Sequence, residues 1–215
     1  MAVPDDYDEV AETYAERLGD ELAGKPLDRA LLRAFAEQVA AGAPGVVVDV
    51  GCGPGHVTAF LAGCGLGVAG LDVSPRMVAV ARRREPRLRF SVGSVLDVDA
   101  ADASWAGAVA FYSLIHLDDT DMRRALAELC RLVRAGGLVL VAVHTEHLEH
   151  PGAAVTRVED LWGHAVELDF RYIPAATLAA TAEGAGFEVA AVLEREPHPA
   201  VEAPTRRAYV LLRRP

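Results

Sequence analysis

Three glycines set directly after a short apolar run constrain this chain more than any other feature. Residues 46–58 read Val-Val-Val-Asp-Val-Gly-Cys-Gly-Pro-Gly-His-Val-Thr. Four valines with one acid among them, Val46 to Val50, have the composition of a strand buried on both faces. Gly51, Gly53 and Gly55 let the backbone turn sharply and approach a ligand closely. Residues 56–62 can then open a helix whose first amides face that ligand. Strand, glycine turn and helix, in that order, begin a nucleotide-binding unit. Residues 66–73 read as a second strand with Asp72 at its end, 21 residues after Gly51. An acid at that place can accept both hydroxyls of a ribose.

The glycine spacing narrows the ligand. A dinucleotide fingerprint, G-x-G-x-x-G/A, would put its last small residue at position 56, where this chain has the bulky His56. The spacing is instead G-x-G-x-G, with Asp49 two residues ahead. That pattern resembles motif I of the class I S-adenosylmethionine (SAM)-dependent methyltransferases. The resemblance covers nearly the whole chain and is strongest over residues 46–72 and 134–144. It implies an α/β fold: a Rossmann-like, doubly wound, seven-stranded and mostly parallel sheet with an antiparallel C-terminal strand. It also implies SAM as cofactor. Asp49, Gly51, Cys52, Gly53 and Gly55 would then lie beneath its methionine part, and Asp72 with Val73 at its ribose. Met77 would pack on the adenine, and Gly93, Ser94 and Val95 would recognise the base. Relatives usually carry Gly-Asp where this chain has Gly93-Ser94, so backbone groups of Ser94 and Val95, or Asp97 nearby, would substitute. Tyr112 and Ser113 would line the cleft from the carboxyl edge of the sheet.

A chain of 215 residues fits one domain, residues 1–215, with one core. No apolar run approaches the roughly 20 residues of a membrane helix. The start, Met-Ala-Val-Pro-Asp-Asp, lacks a basic-then-apolar leader pattern, which predicts a cytoplasmic protein. A net charge of −10 argues against nucleic acid as a partner, since phosphate binding needs a basic face. The three cysteines form no C-x-x-C pair, and Cys52 reads as a small buried filler as well as a loop residue. His144, His147 and His150, with Glu146 and Glu149 between them, have metal-ligating chemistry. A spacing of three on an irregular loop fixes no coordination geometry, and no metal is assigned.

The remaining elements follow in order. Residues 5–22 and 27–41 read as helices, and residues 1–42 as a helical lid. The pattern Tyr7-Asp8-x-x-Ala11-x-x-Tyr14-Ala15 resembles the lid segment of these methyltransferases, which would bring Tyr14 to SAM and Tyr7 to the acceptor. Ser74-Pro75 starts a helix. Strands are expected at 87–92, 138–143, 187–193 and 207–212, the fourth strand and its exit at 107–115, and helices at 121–133 and 174–185. Arg134-Ala135-Gly136-Gly137 reads as the turn ahead of the fifth strand, and 196–204 as a proline-rich loop. Residues 145–173 show no clear periodicity and are expected to be a variable acceptor-side insertion. Within them, residues 162–170 resemble a W-G-H-x-V-x-L-D-F segment of one group of small-molecule methyltransferases, with Trp162 and His164 as an acceptor wall.

His116 and His144 fall at the carboxyl ends of adjacent strands, where a methyl group would point. Histidine suits a general base because its pKa lies near neutrality. The expected activity is methyl transfer to O, N or C of a small organic acceptor in specialised metabolism. Two alternatives share the fold: a frame repurposed for cyclisation or other non-methylating chemistry, and a module that only binds SAM.

Overall fold

A computed structural model describes residues 3–199 and 201–215. Met1 and Ala2 of the expected lid, and Ala200 of the 196–204 loop, lie outside the described residues. Seven strands form one sheet, in the order β3-β2-β1-β4-β5-β9-β8. These are β1 (Val46–Val50), β2 (Gly67–Asp72), β3 (Arg89–Val92), β4 (Trp105–Phe111), β5 (Val133–His147), β8 (Glu188–Arg195) and β9 (Thr205–Arg213). The first five are mutually parallel, and β9 runs antiparallel to both β5 and β8. This is the Rossmann-like methyltransferase sheet. Strand β1 has β2 on one side and β4 on the other, so the chain order reverses there and opens a crevice at the carboxyl ends.

Helices cover both faces because both faces are apolar. On one, α5 (Asp119–Leu132) and α6 (Ala175–Gly184) bury Leu126, Leu129 and Leu178 against Val139, Val141 and Val210. On the other, α2 (Pro26–Ala40) and α3 (His56–Gly63) bury Leu32, Phe35 and Leu61 against Val47, Val109 and Leu140. A third cluster joins α1 (Val3–Leu18), α4 (Pro75–Arg84) and a two-stranded hairpin, β6 (Val155–Leu161) with β7 (His164–Arg171). Local caps fix two of the helix starts. Ser74 Oγ accepts from Met77 N at 3.0 Å, with Pro75 at the first helical position. Asp118 accepts from Thr120 N and Asp121 N, both at 2.8 Å.

Three expected boundaries move and that between the fourth strand and its exit is fixed, each for a physical reason. The first helix ends at Leu18 instead of continuing to 22; the chain turns at Gly19–Asp20 and resumes as a 3-10 turn, Glu21–Gly24. The fourth strand stops at Phe111, because Tyr112 has a left-handed backbone (φ 58°), and a 3-10 turn at Leu114–His116 follows. The fifth strand is longer than residues 138–143. Its pairing with β4 jumps from Val133 to Leu138, so residues 134–137 loop out as the expected turn inside it. Residues 155–171, read as aperiodic, are a regular antiparallel hairpin. Trp162 (φ 58°) and Gly163 (φ 87°) both adopt the positive φ that a tight two-residue hairpin turn demands. No helix among the described residues is long and apolar enough to cross a membrane.

The C-terminal strands are tied to the N-terminal helices by buried charge. Glu202, in the loop between β8 and β9, receives Arg195 at 2.6 and 2.9 Å. It lies 3.4 Å from Lys25 and 3.2 Å from Arg207, with 1% of its side chain exposed. Arg195 also reaches Asp28 of α2 at 2.7 Å. Burial alone would raise the Glu202 pKa, but Arg195, the His198 amide, Arg207 and Lys25 hold it at about 2. Glu202→Gln removes the charge that offsets three buried cations, so urea unfolding should show a loss of about 3 kcal/mol. In the wild type this contribution should be complete above the ordinary glutamate value of 4.5 and disappear as pH falls toward about 2.

Candidate functional site

The crevice at the strand ends is a cavity of about 370 Å³, within the few hundred to about 1,000 Å³ of small-molecule sites. Its floor is the glycine loop. Gly51 (φ 67°) sits where any Cβ would collide with Ser113, whose Oγ donates to the Val50 carbonyl at 2.6 Å and so pins the exit of β4 against β1. Gly53 (φ 50°) lines the cleft, and the space a Cβ would take is open.

Asp72 closes β2 and is held from both sides. Its Oδ2 accepts the Gly53 amide at 2.7 Å and its Oδ1 the Ser74 amide at 2.9 Å. Burial raises its pKa while these amide hydrogen bonds pull it down, the net direction being upward. Each oxygen keeps a second lone pair, so the carboxylate can accept two further hydrogen bonds side by side. Asp49 is buried beneath the loop and accepts Thr58 Oγ1 at 2.6 Å; burial lifts its pKa to about 6. Cys52 is buried, and burial together with the charges of Asp49 and Asp72 pushes its thiol pKa far up, so no reactive thiolate forms here.

The cover carries polar groups into the cleft. Tyr7 and Tyr14 of α1 line it, with ring centroids 6.0 Å apart. The Tyr7 hydroxyl lies 2.7 Å from His116 Nε2, and His116 Nδ1 lies 2.8 Å from the Asp169 carbonyl. A carbonyl only accepts, so Nδ1 carries the proton, and Nε2 accepts from Tyr7. Burial lowers the His116 pKa and raises that of Tyr7, leaving a neutral imidazole beside a protonated phenol. The His116 ring is wedged between Tyr7 and Phe170 of β7, at 5.4 and 4.9 Å.

The structure therefore brings most of the expected site residues to one cavity. Lining it are Tyr7, Tyr14, Asp49, Gly51, Cys52, Gly53, Asp72, Val73 and Met77. Gly93, Ser94, Val95, Tyr112, Ser113 and His116 complete the expected set there. Five residues sit elsewhere. Gly55 starts α3 with a left-handed backbone and faces Phe90 and Ala81. His144 stacks on Tyr112 at 4.9 Å, and its Nδ1 lies 2.8 Å from Thr205 Oγ1. Burial, then the charges of Arg207 and Lys25, lowers its pKa to about 3. Trp162 packs edge-on against Tyr14 at 5.8 Å, and His164 Nε2 lies 3.0 Å from Thr13 Oγ1. Both brace the hairpin on α1 and are not a wall of the cavity. Asp97 is exposed, outside the lining.

Two polar residues of the cavity went unread in the sequence. Glu21 lies in the turn after α1, where nothing local marks it as facing a ligand. His56 counted only as too bulky for a dinucleotide loop; here its Nε2 lies 3.1 Å from Glu21 Oε1. The histidine series disperses too. The His147 and His150 rings lie 4.7 Å apart while His144 turns to Thr205, and no group of metal-ligating side chains gathers among the described residues.

Residues 47–137 match the family described as a methyltransferase domain. The chain is 38% identical over 103 residues to the O-methyltransferase cnsE of Penicillium expansum, covering 45% of this chain and 37% of that protein. It spans between 36% and 55% of the length of three curated relatives that it matches, all methyltransferases by name. Among solved structures it superposes on the 1,6-didemethyltoxoflavin-N1-methyltransferase of Burkholderia thailandensis with a TM-score of 0.64 and 23% identity. That match covers 100% of this chain and 91% of the other. It also superposes on the 4+2 cyclase SpnF, with a TM-score of 0.70, 19% identity and 97% of each chain covered. At such identities the structural likeness is one of fold. Its sequence match, its sheet order and the pairing of the glycine loop with Asp72 together make the chain similar to the class I SAM-dependent methyltransferases.

Proposed function

We propose that this protein is an enzyme that transfers a methyl group from SAM to a hydroxyl oxygen of a small organic acceptor, and that it tailors a specialised metabolite. The observation that carries the reading is the Tyr7–His116 pair, set in a cleft whose floor fits an S-adenosyl ligand. The fit rests on two features: the open space over Gly53, and the two unused lone pairs of an Asp72 carboxylate already fixed by backbone amides. Asp72 would hold the ribose hydroxyls. Met77, Gly93, Ser94 and Val95 would hold the base, and Gly51 to Gly53 the thioether end. When bound, SAM supplies a methyl group already activated by its sulfonium, so the protein's work is alignment and proton handling.

His116 Nε2 is the proton's destination. A hydroxyl presented to Tyr7 gives its proton to the phenol oxygen as Tyr7 passes its own to Nε2. The Asp169 carbonyl, already accepting from Nδ1, then steadies the imidazolium. Tyr7 ends as it began, a neutral phenol, which suits a group whose burial disfavours its anion. The cleft also carries Val3, Pro4, Phe111, Leu114 and Leu117, apolar side chains that would limit water at the transfer. Helix α1 forms this cover within a lid of residues 1–42. The hairpin in the 145–173 insertion faces the acceptor side by fixing His116 from behind. The O-methyltransferase relative of Penicillium expansum supports oxygen as the methylated atom.

Because a cyclase shares the fold, the deciding experiment is mass spectrometry of a panel of phenols and enols incubated with enzyme and SAM. Methyl transfer predicts a product heavier by one CH2 unit and stoichiometric S-adenosylhomocysteine. Rearranged product with no mass gain would establish the repurposed frame instead. With an acceptor in hand, His116→Ala should lower kcat by about a hundredfold and Tyr7→Phe by about tenfold or more, each with little change in S-adenosylhomocysteine affinity. Since burial holds His116 below its ordinary 6.5, kcat/KM should fall only on the acid side of that value and stay flat from neutrality upward. Gly53→Ala puts a methyl group into the open space over the loop. It should weaken S-adenosylhomocysteine binding by about tenfold or more, at a folding cost of about 1–2 kcal/mol for a non-glycine residue at positive φ.

A further inference from the structure

The cleft has two ends, and the strand order tells them apart. Ser94 follows β3, Asp72 ends β2, the glycine loop follows β1, and Tyr112 and Ser113 follow β4. A ligand with its base at Ser94 and its sugar at Asp72 must therefore run across the loop toward β4. Glu21 waits on that side. Its Oε2 receives Lys25 at 2.5 Å, and Lys25 Nζ sits 5.7 Å from the centre of the Tyr112 ring. Its Oε1 is bonded to His56, the first residue after the loop. Both Glu21 and His56 line the cavity.

Of the acids at this end, Glu21 carries the firm charge. Asp49 is buried with its pKa lifted to about 6, whereas Glu21, which burial alone would raise, is held at about 2 by His56 and Lys25. The pair is also unsaturated. His56 Nε2 lies against Glu21, and the other ring nitrogen, Nδ1, is buried with no hydrogen-bond partner. A fixed carboxylate in the cleft wall, each oxygen with a lone pair to spare, suits a ligand group that is cationic and rich in N–H donors.

We propose that Glu21, positioned by His56 and Lys25, receives the α-ammonium of the cofactor's amino-acid tail and selects ligands that carry this tail over truncated thionucleosides. The assignment rests on the SAM reading above. It makes the turn after α1 part of the cofactor site, so the N-terminal cover reads the ligand's charge as well as closing over it.

Calorimetry with three probes tests this: S-adenosylhomocysteine, its analogue lacking the amino group, and 5′-methylthioadenosine, which lacks the whole tail. The wild type should bind the deamino analogue about tenfold or more weaker than S-adenosylhomocysteine. Glu21→Gln should lose a similar factor for S-adenosylhomocysteine while binding 5′-methylthioadenosine as the wild type does, which also reports an intact nucleoside site. Equal affinity of the wild type for the first two probes overturns the proposal whether or not the variant folds. So does a variant that binds S-adenosylhomocysteine normally, or one that loses both it and 5′-methylthioadenosine alike. A wild type that binds none of the three fails the SAM reading itself, and the Glu21 assignment falls with it.

Discussion

The floor of the site is positioned from one buried carboxylate. Asp72 sits at the end of β2 with an amide of the glycine loop on one oxygen and the amide that begins the next helix on the other. Desolvating a carboxylate is costly, and amide donors are what offset that cost. The constraint works in both directions. The loop cannot relax without stripping Asp72 of a donor, and Asp72 cannot swing away without leaving the Gly53 amide unpaired. Gly51 and Cys52 add to this by donating to the Leu71 carbonyl, at 2.7 and 3.1 Å. β1 and β2 are thus joined at their tips as well as along their ladder, which presents the cleft floor in one conformation.

Over this rigid floor lies a cover assembled from distant parts of the chain. Helix α1 contributes Tyr7, the exit of β4 contributes His116, and β7 contributes the carbonyl that sets the His116 tautomer. In the proposed reaction none of the three is useful alone. A tyrosine without His116 has nowhere to send a proton, and a histidine without Asp169 has no fixed tautomer. The hairpin is therefore best understood as a brace: Trp162 and His164 grip α1, Phe170 backs His116, and the acceptor side inherits its geometry from that packing. The salt-bridge cluster around Glu202 does the same at the other end of the cover, tying Lys25 and Asp28 to the C-terminal strands.

What the sequence revealed and what it hid divide along the range of the interactions. The β1 strand, its glycine loop and Asp72 are legible because each requirement is local: β-branched residues, positive φ, an acid at a strand end. The Ser74-Pro75 helix start is legible for the same reason. The β6–β7 hairpin was not, because only Val166 and Leu168 of its residues are fully buried and their partners are on α1 and α4. Where β4 ends within residues 107–115 is not legible, because a left-handed tyrosine has no sequence signature; the surrounding packing imposes it. Glu21 escaped notice because its partner His56 is 35 residues away, and the Tyr7–His116 contact spans 109. The fold and the floor of the site are written locally in the sequence, while the cover, where discrimination and proton transfer would occur, is tertiary.

The central claim is that the Asp72-anchored floor is built for an S-adenosyl ligand. The most direct measurement is titration of purified wild type and Asp72→Asn with S-adenosylhomocysteine and, separately, with NAD. The account predicts saturable binding of S-adenosylhomocysteine well below millimolar concentration, strongly weakened in Asp72→Asn, and no binding of NAD. Indifference of the wild type to S-adenosylhomocysteine at millimolar concentration, or undiminished binding by Asp72→Asn, would contradict it.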